Sequence, residues 1–310
     1  MYVGAEHHPE LASLARRQRG VATMEQLERL GLSRSQVRAN IQGRRWTQVG
    51  HHSVLLQNRP ADRVQVMWAT TLDVEGPIAL ASHTALELWG FRSFAKEAAG
   101  IHVVVPHGAK VAGLPSLVVH ESRRFGEVDV RRTNGLPCTE RARSAIDAAA
   151  WQPWPRFAMA MMAAAVQQRI CHTDELEAAL VTVGRVRHKA YLRLALRDIA
   201  GGAEALSEID MAALCRRHRL RPPDRQVLRR DPSGRRRYLD CEWVLEDGTR
   251  VVLEIDGAHH LDVAHWEADI KRERKVVITR RIVLRATSAE MRLESLDVVK
   301  DLIAVGVPRT

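Results

Sequence analysis

The side chains best placed to do chemistry are carboxylates in the last third of the chain. The segment TRVVLEIDG is an apolar run that carries Glu254 and Asp256 at alternate positions, so as a strand it directs both to one face. Two carboxylates at the end of an otherwise buried strand are costly unless a cation or a proton compensates them. A second strand-like run, YLDCEWVL, precedes it and brings Asp240; Glu246-Asp247-Gly248 joins the two. Register decides whether Asp240 meets the others. A two-residue turn at Asp247-Gly248 pairs 246 with 249, which sets Asp240 opposite Ile255 and turns it away. A three-residue loop with Gly248 in the left-handed conformation pairs 245 with 249 and sets Asp240 directly opposite Glu254. The second register is the one expected. Asp240, Glu254 and Asp256 would then share a patch suited to Mg²⁺ or Mn²⁺, which takes a few carboxylate oxygens and leaves water and phosphate to complete its shell. Such an ion generates a nucleophile from water and stabilises charge on phosphate, which is the chemistry of phosphodiester hydrolysis.

The elements that position these groups follow from local signals. Ser207 opens a helix, SEIDMAALCRRH, with Asp210 reciprocal to it and Glu208 in its first turn, and a basic linker leads on to the two strands. Gly201-Gly202 marks a joint ahead of that helix. From 61 to 200 the chain is Ala-rich and mostly helical in pattern, with strand-like IHVVVP and SLVVHES between. His102, His107 and His120 lie on or beside those strands; they could be drawn together around a metal, although isolated histidines are more often structural.

At the other end of the chain, Thr23 to Gln26 and Ser33 to Gln36 each read as a capping box, and Gly31 stops the first helix and Gly43 the second. The expected result is helix, tight turn, helix, burying Met24, Leu27 and Leu30 and then Val37 and Ile41. Arg34, Arg38 and Gln42 fall at i, i+4 and i+8 on one exposed stripe, followed by Arg44 and Arg45. Trp46 and the strand pair around Gly50 would supply a wing. In a helix-turn-helix such a stripe enters the major groove, where Arg pairs with guanine edges and Gln with adenine.

Bulk properties agree with a polyanionic partner. The formal net charge is +10 over 310 residues, and its distribution is uneven. Residues 1–60 hold nine Arg against four Glu, and 215–237 hold ten Arg against two Asp, so two separate contacts with DNA are expected. Cys138, Cys171, Cys215 and Cys241 form no CxxC pair, which suits a reducing compartment and argues against a zinc ribbon. No run is long and apolar enough for a membrane span and the N-terminus lacks a signal-peptide pattern, so the cytoplasm is the expected location, with no membrane partner. Oligomeric state is not encoded in any of these signals.

Two stretches resemble known families. RQRGVATMEQLERLGLSRSQVRANIQGRRWTQV, with ALASHTALELWGF, IHVVVPHG and GLPCTERARSAIDAAAW, resembles the AbiEi-type antitoxins of type IV toxin-antitoxin systems over about residues 10–150. That resemblance implies a winged helix-turn-helix on operator DNA and a domain that restrains a partner toxin. Over about 203–305, Glu208, Asp240, Glu254-x-Asp256-Gly257, His260, Trp266, Asp269, Arg272 and the strand RRIVLRAT resemble the PD-(D/E)XK nuclease superfamily, in particular proteins related to the very-short-patch-repair endonuclease. The chain departs from that pattern where Asp256 replaces the usual Lys. In the related repair subgroup histidine chemistry can compensate, which makes His260, beside His259, the implied base, with Arg272 on phosphate. The architecture expected from all of this is an α+β multidomain chain: a winged helix-turn-helix (1–60), a mostly helical middle domain (61–200) and a C-terminal α/β restriction-endonuclease-like domain (201–310). Its function would be that of a metal-dependent DNA endonuclease or, alternatively, that of an antitoxin-like DNA-binding transcriptional regulator with a catalytically inactive nuclease-type domain, a reading that the loss of the Lys supports.

Overall fold

The computed structural model describes residues 9–111, 116–201, 211–230, 236–256 and 281–310 of an α+β chain that divides into two compact units, residues 1–144 and 145–310. Among the described residues no helix is long and apolar enough to cross a membrane.

The first unit opens with α1 (Pro9–Arg17), β1 (Val21–Thr23), α2 (Met24–Arg29), α3 (Arg34–Gln42), β2 (Thr47–Gln48) and β3 (Ser53–Leu55). Both expected capping boxes are present: Thr23 accepts from the Gln26 amide while the Gln26 side chain accepts from the Thr23 amide, and Ser33 and Gln36 repeat the arrangement. Each box satisfies amides that the first turn of a helix leaves without partners. Gly31 sits at φ +84° just beyond α2, so the chain turns within three residues into α3. Leu11, Leu14, Leu27, Leu32, Val37 and Trp46 are buried together between these helices and a small sheet of order β1-β3-β2. As expected, Gly43 ends α3 as its C-cap, at φ −76°, and the left-handed residue that follows is Arg44, at φ 52°.

Next come α4 (Arg63–Leu72), β4 (Ala79–Leu80), α5 (Ser82–Leu88), β5 (Ile101–Pro106), β6 (Leu117–Ser122), β7 (Arg131–Thr133) and β8 (Leu136–Cys138), which form a mixed sheet of order β6-β5-β4-β8-β7. The expected strand-like runs IHVVVP and SLVVHES are β5 and β6, and β4, β7 and β8 join them in the sheet. Strands β4, β7 and β8 span two or three residues each, too short for any periodicity to register. Helix α4 serves both halves of the unit. Met67 and Trp68 pack in one cluster with Val21 and Leu55 from the small sheet and with Leu80, Val103 and Leu136 from the larger one.

The second unit starts within α6 (Arg141–Ala150) and continues through α7 (Pro155–Gln167), α8 (Thr173–Val183) and α9 (Lys189–Gly201), helices packed through buried Met159, Met161, Met162, Leu176, Leu192 and Leu196. Beyond α10 (Met211–His218) the chain forms β9 (Arg225–Arg230), β10 (Arg236–Val244), β11 (Arg250–Asp256), β12 (Arg281–Thr287), α11 (Ser288–Leu293) and α12 (Ser295–Ala304). The sheet order is β12-β11-β10-β9, antiparallel from β9 to β11 and parallel between β11 and β12. One face of it, carrying Cys241, Trp243, Val251, Leu253, Ile255 and Ala286, is buried against α10 and α12.

The β10–β11 hairpin closes as the three-residue loop requires. Leu245 donates its amide to the Thr249 carbonyl (2.8 Å), Gly248 donates to Leu245 (3.0 Å), and Gly248 adopts φ +80°. Asp247 braces the loop by accepting from the Thr249 amide (2.9 Å) and hydroxyl (2.8 Å). A β-branched side chain resists this left-handed conformation, so Gly248→Val should cost about 2 kcal/mol in chemical denaturation, and Gly248→Asn much less. Equal losses from the two variants would show that the conformation is not what the site demands.

Candidate functional site

Helix α3 presents Arg34, Arg38 and Gln42 outward, all exposed, while Val37 and Asn40 are buried on its inner side. The three exposed residues are not equivalent. Arg34 donates through Nε to Glu28 of α2, so it is held in an ion pair that lies across the turn. Arg45 folds back on the helix it follows, its Nε donating to Asn40 Oδ1 (2.8 Å) and one Nη to the Ala39 carbonyl (3.1 Å). Its guanidinium therefore covers the C-terminal end of α3, where free carbonyls and the helix dipole favour a cation. Arg38 and Arg44 are exposed. After α3, the loop between β2 and β3 exposes His51 and His52, and the His52 carbonyl accepts from the Met24 amide at the start of α2 at 2.9 Å. Behind that loop lies Asp73, at the C-terminal end of α4, a residue that the sequence pattern does not single out.

In the second unit the expected register is observed: Asp240 lies opposite Glu254, and Tyr238 opposite Asp256. The parallel neighbour adds a residue that the sequence reading does not anticipate. Arg285 of β12 stands beside Glu254 in register and donates through Nε to Glu254 Oε2 at 3.0 Å. The same sheet face carries a second such pair, with Arg250 donating to Glu242 at 3.0 Å. Both described carboxylates in this part of the face thus have an arginine in contact. Among the described residues no group of three or more His, Cys, Asp or Glu is arranged to hold a metal ion. Of the expected ligands, Glu254 alone has a described side chain, and it is turned to a guanidinium; that arrangement by itself does not make a Mg²⁺ site. Glu208, His259, His260, Trp266, Asp269 and Arg272 lie outside the described residues. Arg285 stands out in the sequence as a charge in the middle of the apolar strand RIVLRAT, but the parallel register that brings it to Glu254 depends on a long connection that local rules do not fix.

The histidines on the larger sheet gather differently from expectation. His107 leaves the group and pairs with Glu121 (2.9 Å) at the surface. His102 and His120 stack with ring centroids 5.4 Å apart, and His83 of α5, which the sequence reading does not include, lies 5.4 Å from His102. The hydrogen bonds fix the protons. A carbonyl can only accept, so His102 Nε2, 3.0 Å from the Glu97 oxygen, carries a hydrogen, and His102 Nδ1 is left to accept from His120 Nε2 at 3.1 Å. Ser82 Oγ is 3.0 Å from His83 Nδ1, while His83 Nε2 is buried with no hydrogen-bond partner among the described residues. Burial pushes the His83 pKa down to about 3 and that of His120 to about 4, helped in each case by the neighbouring imidazole, and burial also lowers His102. This is a row of neutral rings that fills the space between α5 and the sheet.

All four cysteines are buried free thiols. No protein-family model matches the chain, and no curated protein matches it.

Proposed function

We propose that this chain is a duplex-DNA-binding protein whose N-terminal elements act as a winged helix-turn-helix. The observation that carries the reading is the order helix, strand, helix, tight turn, helix, strand, loop, strand, with Arg38 and Gln42 exposed on the second helix of the pair and a β-hairpin following it. That order supports α3 as the recognition helix and the 49–52 loop as the wing. The net charge of +10 supports a phosphate partner. Arg38→Ala should weaken binding to duplex DNA and make the dependence on salt shallower by up to about 0.9 in the log–log slope, the share of a single phosphate. Arg34→Ala should do less, because Glu28 already engages that guanidinium. Binding by anisotropy across a salt series checks both; an Arg38→Ala protein with wild-type affinity and slope would remove α3 from the interface.

A second reading concerns the C-terminal sheet. The cross-strand placement of Asp240 and Glu254 supports a Mg²⁺- or Mn²⁺-dependent endonuclease acting on the bound DNA, with Asp256, Glu208 and His260 as further members of its site. The Glu254–Arg285 pair favours the opposite outcome, a regulator of antitoxin type that binds DNA, and a toxin partner, without cutting. Incubating plasmid DNA with the purified chain in Mg²⁺, Mn²⁺ or EDTA separates the two: metal-dependent nicking that Asp240→Asn abolishes supports the nuclease, and intact plasmid under every condition supports the regulator.

A further inference from the structure

Asp73 is 9% exposed, and a carboxylate at that depth must be compensated by donors. It finds three on the wing: the amides of His51 and His52, the latter at 3.2 Å, and the Ser53 hydroxyl. The fit leaves no slack. A Cβ added to Gly50 would lie 2.0 Å from Asp73 Oδ2, so at that position the loop passes the carboxylate only because its residue has no side chain. Within the wing itself the ties are weaker: Val49 and Gly50 donate their amides to the Ser53 carbonyl at 3.1 and 3.2 Å, and the Gln48 side chain donates to the carbonyls of Gly50 and His51 at 3.1 and 3.3 Å.

The position of Asp73 is set elsewhere. It caps α4, its amide donating to the Ala69 carbonyl at 3.0 Å, and α4 is locked by Met67 and Trp68 into the core that reaches the larger sheet. At the other end of the same helix, Gln65 donates to the Arg19 carbonyl at 2.8 Å. The wing is therefore moulded onto a helix that belongs to the body of the unit.

We propose that Asp73 is a positioning residue for DNA binding: from α4, outside the winged elements, its carboxylate fixes the wing where a duplex seated on α3 meets it. The inference rests on the DNA-binding reading above. Asp73 does not touch DNA; its charge is taken up by three donors, and the groups it presents to the duplex are His51 and His52, both exposed, with ring centroids 6.5 Å apart. A rigid wing reaches phosphate without the entropy loss of ordering a loop on binding. A loose wing forfeits that advantage.

The test uses the full chain and a fluorescein-labelled duplex of mixed sequence. In Asp73→Asn, hydrogen exchange at the His51 and His52 amides should rise, affinity should fall about tenfold, and the salt slope should become shallower by about 0.9 for each phosphate that the wing no longer reaches. Gly50→Ala should reach the same state from the other side, by pushing a methyl group into the carboxylate. Because both variants break one clasp, the double variant should bind no worse than either single one, whereas Arg38→Ala should add in full to each. If the exchange rises but affinity and slope stay at wild-type values, the proposal is overturned while the DNA-binding reading stands. If the wild-type chain binds no duplex, both fall together. Should Asp73→Asn not fold, Gly50→Ala, which leaves the carboxylate in place, decides on the same readouts.

Discussion

Replacing Asp198 by Ala should destabilise the second unit by about 3 kcal/mol, the cost of removing one partner from a buried ion pair. Asp198, on α9, is 2% exposed. One of its oxygens accepts from Arg292 of α11 at 3.1 Å and the other from the Ser288 hydroxyl at the start of that helix. Truncation strips both of a partner in a place that water reaches poorly, so the loss exceeds the net contribution of the two bonds. A second pair, Arg156 of α7 with Glu290 of α11 at 3.4 Å, joins the same two groups of helices and stays intact in the variant. Asp198→Asn keeps an acceptor for Ser288 and gives up the charge, and should fall between wild type and Ala. Urea or thermal unfolding of the three proteins measures the series. A loss under about 1 kcal/mol for Asp198→Ala would mean that the pair behaves as a solvated surface bridge.

The second large effect is a loss of stability in mild acid, carried by the histidine row of the first unit. His83 and His120 have folded-state pKa values of about 3 and about 4, below the roughly 6.5 of an unfolded chain, and His102 is shifted in the same direction. The unfolded state therefore binds more protons below pH 6.5, so stability is complete above that pH and drains away as pH falls toward 4. Each fully shifted ring contributes a slope of about 1.4 kcal/mol per pH unit, hence about 2 kcal/mol per ring between pH 6.5 and 5. The hydrogen bonding gives the same sign. Protonating His102 at Nδ1 would set an N–H against the N–H of His120. Other charges around the row are Arg63, which lowers His102 further and donates to Glu87 at 2.7 Å, and Glu97, whose carbonyl opposes the shift through its hydrogen bond. Carboxylates that titrate near 4 act at the lower edge of this window, so the interval from 6.5 to 5 isolates the imidazoles. Melting temperature against pH should drop across that interval, and His83→Leu and His120→Gln should each flatten the drop by about one proton's share. A flat wild-type profile would mean that the rings are solvated in the folded chain.

What can be read from the sequence follows from how local each determinant is. The α2–α3 pair is legible to the residue, because a capping box needs nothing beyond four consecutive positions, and Thr23 with Gln26 and Ser33 with Gln36 realise it. The β10–β11 register is local as well but not unique. The same residues allow a two-residue turn that would turn Asp240 away, and the three-residue loop ending in Gly248 that the chain adopts brings Asp240 opposite Glu254. Strands β5 and β6 are visible as apolar runs, while β4, β7 and β8 are not, since two or three residues acquire strand character only from their neighbours in the sheet. The determinants that escape a sequence reading are all distant along the chain. Arg285 reaches Glu254 across a parallel pairing, His83 joins His102 through the docking of α5 on β5, and Asp73 reaches Ser53 from the far end of α4. Arg45 is ambiguous for a different reason: a basic residue just past a helix looks the same in sequence whether it faces solvent or turns back to cap carbonyls, as here.

The double use of α4 has a consequence for dissection of the gene. A fragment ending at residue 60 would keep α1 through β3 and so would look like a complete DNA-binding module on paper. It would also lose Met67 and Trp68 from against Val21 and Leu55, whose exposed surfaces in the intact chain are 0%, together with the donor that Gln65 offers to Arg19 and the acceptor that Asp73 offers to the wing. Since α4 is in turn packed on Leu80, Val103 and Leu136, a cut just after α4 moves the exposed seam without removing it. A piece that keeps these contacts therefore runs at least to the end of the larger sheet at Cys138, and the first compact unit extends to residue 144, well past the last residue of the β2–β3 hairpin.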